Sequence, residues 1–395
     1  MKILVINAGS SSIKFQLMAM PEERLLCEGL VERIGLEDAE FRYKTPKKEV
    51  KTKQSIRNHH EGLRLMSDAL FHSQYGVIKD KAEIGAVGHR VVHGGDAFST
   101  TTRINGEVKR EIAAFTPLAP LHNPHNLEGI RVAESLFPAA VQVAVFDTAF
   151  HRTMPLKARK YAIPGNFYEE YKIQAYGFHG TSHKYVAERA IEHLGRQNSR
   201  IITIHLGNGC SMTAVQDGKS IDHSLGFAPS NGLIMGSRSG DIDHSIIFYM
   251  ADALGYSLKE IQELLTKKSG MLGLTGFSDL RDIQAGAEAG DPGCILALGM
   301  SAYRIKKYIG AYAAVMNGLD ALVFTAGIGE NSALMRKMAC EQMEYLGIRL
   351  DETKNRAISR EIRELQATDS GVVLLVVPTN EELEIARQAY HLSSS

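Results

Sequence analysis

Cysteine is scarce in this chain of 395 residues: four in all, Cys27, Cys210, Cys294 and Cys340, with no C-x-x-C pair among them. This argues against a disulfide framework or a cysteine zinc site and fits reduced thiols in a cytoplasmic protein. An excess of one charge is also lacking, since 45 Lys and Arg face 45 Asp and Glu. A nucleic-acid sleeve or a membrane-surface protein would draw its affinity from surplus basic residues, so neither partner is expected. A balanced total still leaves room for a local cluster of positive charge. Long hydrophobic runs are missing too: the N-terminal run stops at Asn7, short of a signal-peptide core, and none reaches the ~18 apolar residues of a membrane span. What is present is ordinary globular composition, 44% hydrophobic and 23% charged. At roughly 150 residues per domain it allows two or three domains, each with its own core.

Short β-rich apolar runs alternate with helical stretches, as in α/β folds. Strands are expected at 3–6, 141–146, 201–204, 322–324 and 372–377. One helix should open at Thr181 or Ser182 and stop at Gly195, and a last one should start on the capping-box pattern Thr379-Asn-Glu-Glu382. An internal echo organises these pieces. Ile-Leu-Val-Ile-Asn-Ala-Gly-Ser-Ser-Ser-Ile-Lys-Phe at 3–15 is strand, small-residue turn, strand, and Ile-Ile-Thr-Ile-His-Leu-Gly-Asn-Gly-Cys-Ser-Met-Thr-Ala-Val at 201–215 has the same plan. Two such units, each opening one half, imply duplicated α/β domains facing each other across a cleft.

The turn after Asn7 offers glycine, hydroxyls and backbone N–H groups to an anion, with Lys14 as a nearby charge; a plain hairpin would use the same residues. The second turn, His205-Leu206-Gly207-Asn208-Gly209, favours the phosphate reading, because two such hairpins stand in matching positions. Better-known loops fail: Thr213 stands where a P-loop ending at Ser220 needs glycine, and Ser332 where a dinucleotide fingerprint starting at Gly327 needs its third. Arg238, between small residues, either reaches a phosphate or carboxylate or is simply solvated. Arg90 lies in an apolar strand and so needs an anionic partner, structural or ligand-borne. Asp147 ends a strand where open α/β sheets place ligands; it could orient a nucleophile, hold a metal-bound water or a basic side chain, or cap a turn. His179 precedes a helix N-terminus, where the dipole favours an anion. His122 and His125, like His179 and His183, have metal-compatible spacing without a complete ligand set, and for His125 and His183 an ordinary hydrogen-bonded histidine is the better reading. Glu382 is accounted for as the capping acid, which leaves Glu381 as a candidate magnesium ligand.

Taken together, the segments around Asn7–Lys14, 89–95, 176–183, 205–209, 238–243, 325–332 and 379–382 resemble the acetate and propionate kinase family of the actin-like, sugar-kinase superfamily. The likeness runs from residue 3 to the final helix. It implies two duplicated actin-like (ribonuclease H-like) α/β domains, the first comprising 1–147 plus 382–395 and the second 148–381. It implies reversible ATP-dependent phosphorylation of acetate to acetyl phosphate and ADP, with propionate as the alternative acid and another actin-like small-molecule kinase or ATPase as the more distant alternative. Asn7 and Glu381 would be associated with Mg2+, for which Mn2+ could substitute, and Lys14 would contact the nucleotide phosphates. Arg90 would grip the carboxylate, Arg238 and His179 would stabilise the transferring group, and Asp147 would be the essential acid. Val92, Leu121, His122, Phe178 and Pro229 would contact the acid. His205, Leu206, Gly207, Asn208 and Gly209, with Asp279, Leu280, Arg281, Gly327, Ile328, Gly329, Glu330 and Asn331, would line the nucleotide site. A homodimer is implied as well. Because the carboxylate is already a nucleophile, direct in-line transfer needs positioning and charge more than a base.

Overall fold

The computed structural model describes residues 1–120 and 122–394. It divides into unit 1, residues 1–150 with 380–395, and unit 2, residues 151–379.

Unit 1 is built on a sheet of β1 (Lys2–Ala8), β2 (Ser12–Ala19), β3 (Arg24–Glu32), β4 (Ala39–Lys44), β5 (Glu49–Gln54), β6 (Ile84–Val91), β7 (Thr102–Arg103) and β8 (Val141–Phe146). Their order across the sheet is β5-β4-β3-β2-β1-β6-β8-β7. The first five strands form an antiparallel meander, whereas β6 runs parallel to β1 and β8 parallel to β6. Residues 3–6 are completely or almost completely buried, the mark of a central strand covered on both faces. On one face the helices His59–Leu70 and Asn123–Leu136 close a core that includes Leu4, Phe15, Val31, Met66, Val87 and Phe137. Gly88 points the other way from Val87, as the pleat requires, and there meets the C-terminal helix Glu381–Ser394. A Cβ at Gly88 would come within 2.7 Å of Ile385, so this glycine is what lets the helix settle on β6.

Unit 2 repeats the plan with β9 (Arg200–Leu206), β10 (Cys210–Gln216), β11 (Lys219–His223), β12 (Ala321–Thr325), β13 (Arg363–Glu364) and β14 (Val373–Val376), in the order β11-β10-β9-β12-β14-β13. In both sheets an antiparallel trio (β3-β2-β1, β11-β10-β9) continues into two parallel strands (β6-β8, β12-β14). The echo between 3–15 and 201–215 is therefore a repeat of topology as well as of sequence.

The helix expected at Thr181 spans Gly180–Leu194 and ends, as read, on Gly195 in the left-handed conformation at φ +65°. The last helix departs from expectation. Asn380, not Thr379, supplies the cap, its side chain accepting from the Leu383 N–H at 3.0 Å. Asn caps as well as Thr does, and Thr379 is engaged with Ser182 at 2.9 Å. With the start moved by one residue, Glu382 is not the capping acid but the partner of Lys14, at 2.7 Å. All four cysteines are buried and reduced. Among the described residues no helix is long and apolar enough to cross a membrane.

Candidate active site

In unit 1 the hairpin of β1 and β2 sets Asn7 opposite Lys14. Beside it β6 delivers Arg90, and Asp147 follows directly on β8. Arg90 donates through Nε and Nη2 to one carboxylate oxygen of Asp147, at 2.9 and 2.6 Å, and through Nη1 to the Asn7 amide oxygen at 3.3 Å. The acid is 1% exposed and the Arg90 side chain 22%, so the guanidinium is held from behind and keeps one accessible edge. Burial alone would lower the Arg90 pKa; Asp147, Glu381 and Glu382 more than reverse this and hold it charged. Glu381, at the start of the C-terminal helix, is pushed up to about 7. Loss of water raises it most, Arg90 and Lys14 pull it down, and Asp147 and Glu382 add repulsion. The result is two cations, Arg90 and Lys14, interleaved with three acids.

Unit 2 carries a cavity of about 630 Å3. Its walls come from three stretches far apart in sequence: Gly207 and Asn208 from the β9–β10 turn, 278–284 around the start of the helix Leu280–Glu288, and 327–332, which contributes Gly327, Ile328, Asn331 and Ser332. Glycine shapes the wall at two points. A Cβ at Gly327 would meet nothing within 4 Å, leaving an open face, while one at Gly236 would lie 1.9 Å from the Asn208 amide oxygen. Ala326 takes φ +63°, a strained value for a residue with a side chain, and this bends the chain from β12 straight into the helix Ala326–Asn331. Asp279 caps the helix Leu280–Glu288 and pairs with Arg281, which holds its carboxyl down at about 2.

Arg238 belongs to the same unit. Its Nη1 donates to the Pro229 carbonyl at 2.7 Å, and partial burial lowers its pKa, with Cys210 acting weakly the other way. His179 caps the helix Gly180–Leu194 in the left-handed region, φ +57°. Its Nδ1 lies 2.8 Å from the Ser211 hydroxyl, and its ring stacks on His205 at 4.6 Å. Ser211 in turn bridges to His183 Nε2 at 2.7 Å, and His183 Nδ1 reaches Thr203 at 2.7 Å. Burial drives the His183 pKa well below the ordinary value, and His151, His205 and His179 push it further. Ser211 thus joins His179 to a His183 imidazole that burial keeps neutral.

A family model described as the acetokinase family matches residues 2–387. The chain belongs to the acetokinase family. It is 58% identical over 392 residues to the acetate kinase of Flavobacterium johnsoniae, covering 99% of both chains. Its structure is similar to a crystal structure of Porphyromonas gingivalis acetate kinase (TM-score 0.94, 44% identity, 99% of both chains). It is also similar to that of a propionate kinase from Francisella tularensis (TM-score 0.93, 42% identity, 99% of both chains).

The residues singled out in this acetokinase sequence do not all line one cavity. Gly207, Asn208, Asp279, Leu280, Arg281, Gly327, Ile328 and Asn331 line the unit 2 cavity. Leu206 lines a much smaller adjoining space of about 20 Å3, and His205 is buried against Ser182 at 2.9 Å. Gly209 faces the His179 ring, and Gly329 packs against β12. Glu330 is turned to the backbone, its carboxylate accepting from the Thr379 N–H at 3.1 Å. Val92 and His122 belong to unit 1, where the Val92 N–H donates to Asn126 and His122 precedes the helix Asn123–Leu136. Phe178 and Pro229 belong to unit 2. Leu121 lies outside the described residues. The sequence reading missed Ser278, Gln284 and Ser332, which complete the cavity wall, and Ser211. Ser211 carried a usable signal, since in the β9–β10 hairpin it stands opposite His205.

Proposed function

We infer that this chain transfers the γ-phosphoryl group of ATP to acetate, reversibly, giving acetyl phosphate and ADP. Near-full-length identity to an acetate kinase carries this reading. Phosphotransferases of this class join two anions, so repulsion is the first obstacle and fixed positive charge the first requirement.

Arg90 would hold the acetate carboxylate with its accessible edge. Asp147 would then serve as its positioning partner rather than as a base, consistent with two Arg90 N–H groups converging on one Asp147 oxygen. The nucleotide would occupy the unit 2 cavity, whose open glycine wall at Gly327 suits a flat purine. Arg238 and His179 would stabilise charge on the transferring group, and Lys14 would leave Glu382 for a phosphate oxygen. No general base is needed, because a carboxylate oxygen attacks directly as the ADP oxygen leaves.

Magnesium fits the unit 1 acids. Glu381 is raised to about 7 partly by its acidic neighbours, a repulsion that a divalent cation relieves, and carboxylate with amide oxygen (Glu381, Asn7) is a hard-donor set that Mg2+ or Mn2+ accepts. When bound, the ion supplies charge neutralisation for the nucleotide phosphates. A cytoplasmic homodimer completes the reading.

Likeness to a propionate kinase gives the second acid a specific claim. Val92, 7% exposed, would face the methyl group of the acid, and its bulk would leave less room for another carbon, a methylene being worth ~1–3 kcal/mol. Acetate is therefore expected to have the higher specificity constant. The test measures acid-dependent ADP release, and acyl phosphate trapped as hydroxamate, for acetate, propionate and butyrate at saturating magnesium-ATP, with Arg90→Ala as control. A larger kcat/KM for propionate would reassign the substrate; no acid-dependent release would remove the activity.

A further inference from the structure

Unit 1 holds a second polar group apart from Arg90 and its partners. His59, Glu128 and His125 place one potential ligand atom each within 4.8 Å of one another. His59 opens the helix His59–Leu70 and is 5% exposed. His125 and Glu128 stand three apart on the helix Asn123–Leu136 and so share one of its faces. We propose that these three side chains form a binding site for a divalent transition metal of the zinc class, which ties the two helices together behind the β1–β2 turn.

His59 Nε2 lies 2.6 Å from the Gly9 carbonyl oxygen. A carbonyl only accepts, so Nε2 carries the proton and Nδ1 of the neutral ring presents its lone pair. That lone pair faces a Glu128 carboxylate oxygen at 3.8 Å. Two acceptors thus oppose each other across a gap too long for a hydrogen bond, and zinc–nitrogen and zinc–oxygen bonds of about 2.0–2.2 Å span such a gap. The His125 ring lies alongside His59, centroids 4.9 Å apart and planes inclined by 22°, so both imidazoles are presented together. The Gly9 contact is itself of the outer-shell kind, in which a ligating histidine donates its other N–H to a backbone carbonyl and so fixes its orientation. Both rings sit in the first turns of their helices.

Two imidazoles and a carboxylate select Zn2+, Co2+ or Ni2+ over Mg2+ and Ca2+, which prefer oxygen. The site is therefore chemically separate from the Asn7 and Glu381 oxygens, and it stands or falls independently of the phosphotransfer reading. Its placement gives it a mechanical role. Asn126, between the two helical ligands, donates to the Ala8 carbonyl at 2.7 Å, as His59 does to Gly9. An ion joining His59 to His125 and Glu128 pins both carbonyls, and with them the backbone entering the turn.

The test uses the full chain, stripped with a chelator, dialysed and titrated with zinc chloride by calorimetry, beside His125→Ala and Glu128→Gln. One zinc equivalent is expected in the parent protein, weakened at least ~10-fold in each variant, since loss of even an outer-shell partner weakens metal ~10–100-fold. With magnesium chloride already saturating the Asn7 and Glu381 oxygens, added zinc should still raise the Tm of the parent and slow amide exchange at residues 9–12. The exchange measurement needs no variant and stands even if both substitutions fold badly. No zinc equivalent in the parent, less than ~10-fold weakening in either variant, or exchange at 9–12 unchanged by zinc overturns the proposal.

Discussion

Arg90 shows how far one residue can be read. A guanidinium in a buried strand demands an anion, and the demand was visible in the sequence; that the anion is Asp147, 57 positions away, follows only from the parallel pairing of β6 with β8. The Lys14–Glu382 pair was hidden for the same reason, because local pattern explained Glu382 as a cap and nothing local links it to β2. If Asp147 positions Arg90, Asp147→Asn keeps the shape but removes the charge that holds the guanidinium. We expect KM for acetate to rise and kcat/KM to fall by about 100-fold or more, in line with the ~3–5 kcal/mol for breaking a buried pair. Arg90→Lys should rescue little of the Arg90→Ala defect, since an ammonium cannot reproduce the fork. Steady-state kinetics decide, and an Asp147→Asn enzyme with unaltered acetate KM would contradict the assignment. At Gly236 the constraint is steric. A methyl group 1.9 Å from the Asn208 amide oxygen must move the cavity wall, so Gly236→Ala should raise KM for ATP with little effect on KM for acetate. The stability loss should stay within about 0.5 kcal/mol, read from a denaturant melt, because the displaced atom is the end of an exposed side chain.

Single elements were legible where periodicity and punctuation agree. The helix ending at Gly195 is such a case: its apolar spacing and left-handed terminator are both local. The C-terminal helix was seen, but its first residue was misplaced by one, because Thr379 and Asn380 are both competent caps and only tertiary contacts choose between them. That this helix joins the first domain was implied by the family resemblance alone; the residues it packs on were not legible, since Gly88 and Ile385 meet only in the fold. Ile385 is 1% exposed, and Ile385→Ala should destabilise the protein by about 2–5 kcal/mol, measured as a fall in the denaturant midpoint. A loss below ~1 kcal/mol would mean that the helix is not part of the unit 1 core. The β9–β10 hairpin makes a subtler case. Ser211 links His179 to the neutral His183, so Ser211→Ala should leave substrate KM values nearly unchanged while lowering kcat by about tenfold, on the scale of one lost hydrogen bond. It should also displace the pH profile of kcat, and Ser211→Thr should restore much of both. An unmoved pH profile would reduce Ser211 to a packing residue.

At the scale of the whole molecule, the duplication was legible from two short segments, because each strand-turn-strand unit fixes an antiparallel pair; the order of the parallel strands beyond it came only from the fold. Edge strands such as β5 and β7, with little burial, left too weak a pattern. Least legible was the fate of the histidines, which sequence treats one at a time and the fold buries together. His89 and His93 are each pushed down to about 4 by burial, and His183 and His223 lie well below the ordinary value. His93 Nδ1 accepts from the Gly95 N–H, so a proton there breaks a bond as well as charging a buried ring. The unfolded chain takes these protons near pH 6.5, whereas the folded chain refuses them until about pH 4. Acid between those values therefore favours the unfolded state. At ~1.4 kcal/mol per unit, His89 alone contributes about 3 kcal/mol that is fully present above pH 6.5 and lost as the pH falls through 4. Melting curves from pH 7.5 to 4.0 should show Tm nearly level to about 6.5 and then falling steeply. His89→Asn should lose stability at pH 7.5 but show a shallower fall, because one of the competing proton acceptors has gone. If the variant kept the full acid slope, the instability would have to be assigned to the carboxylates instead.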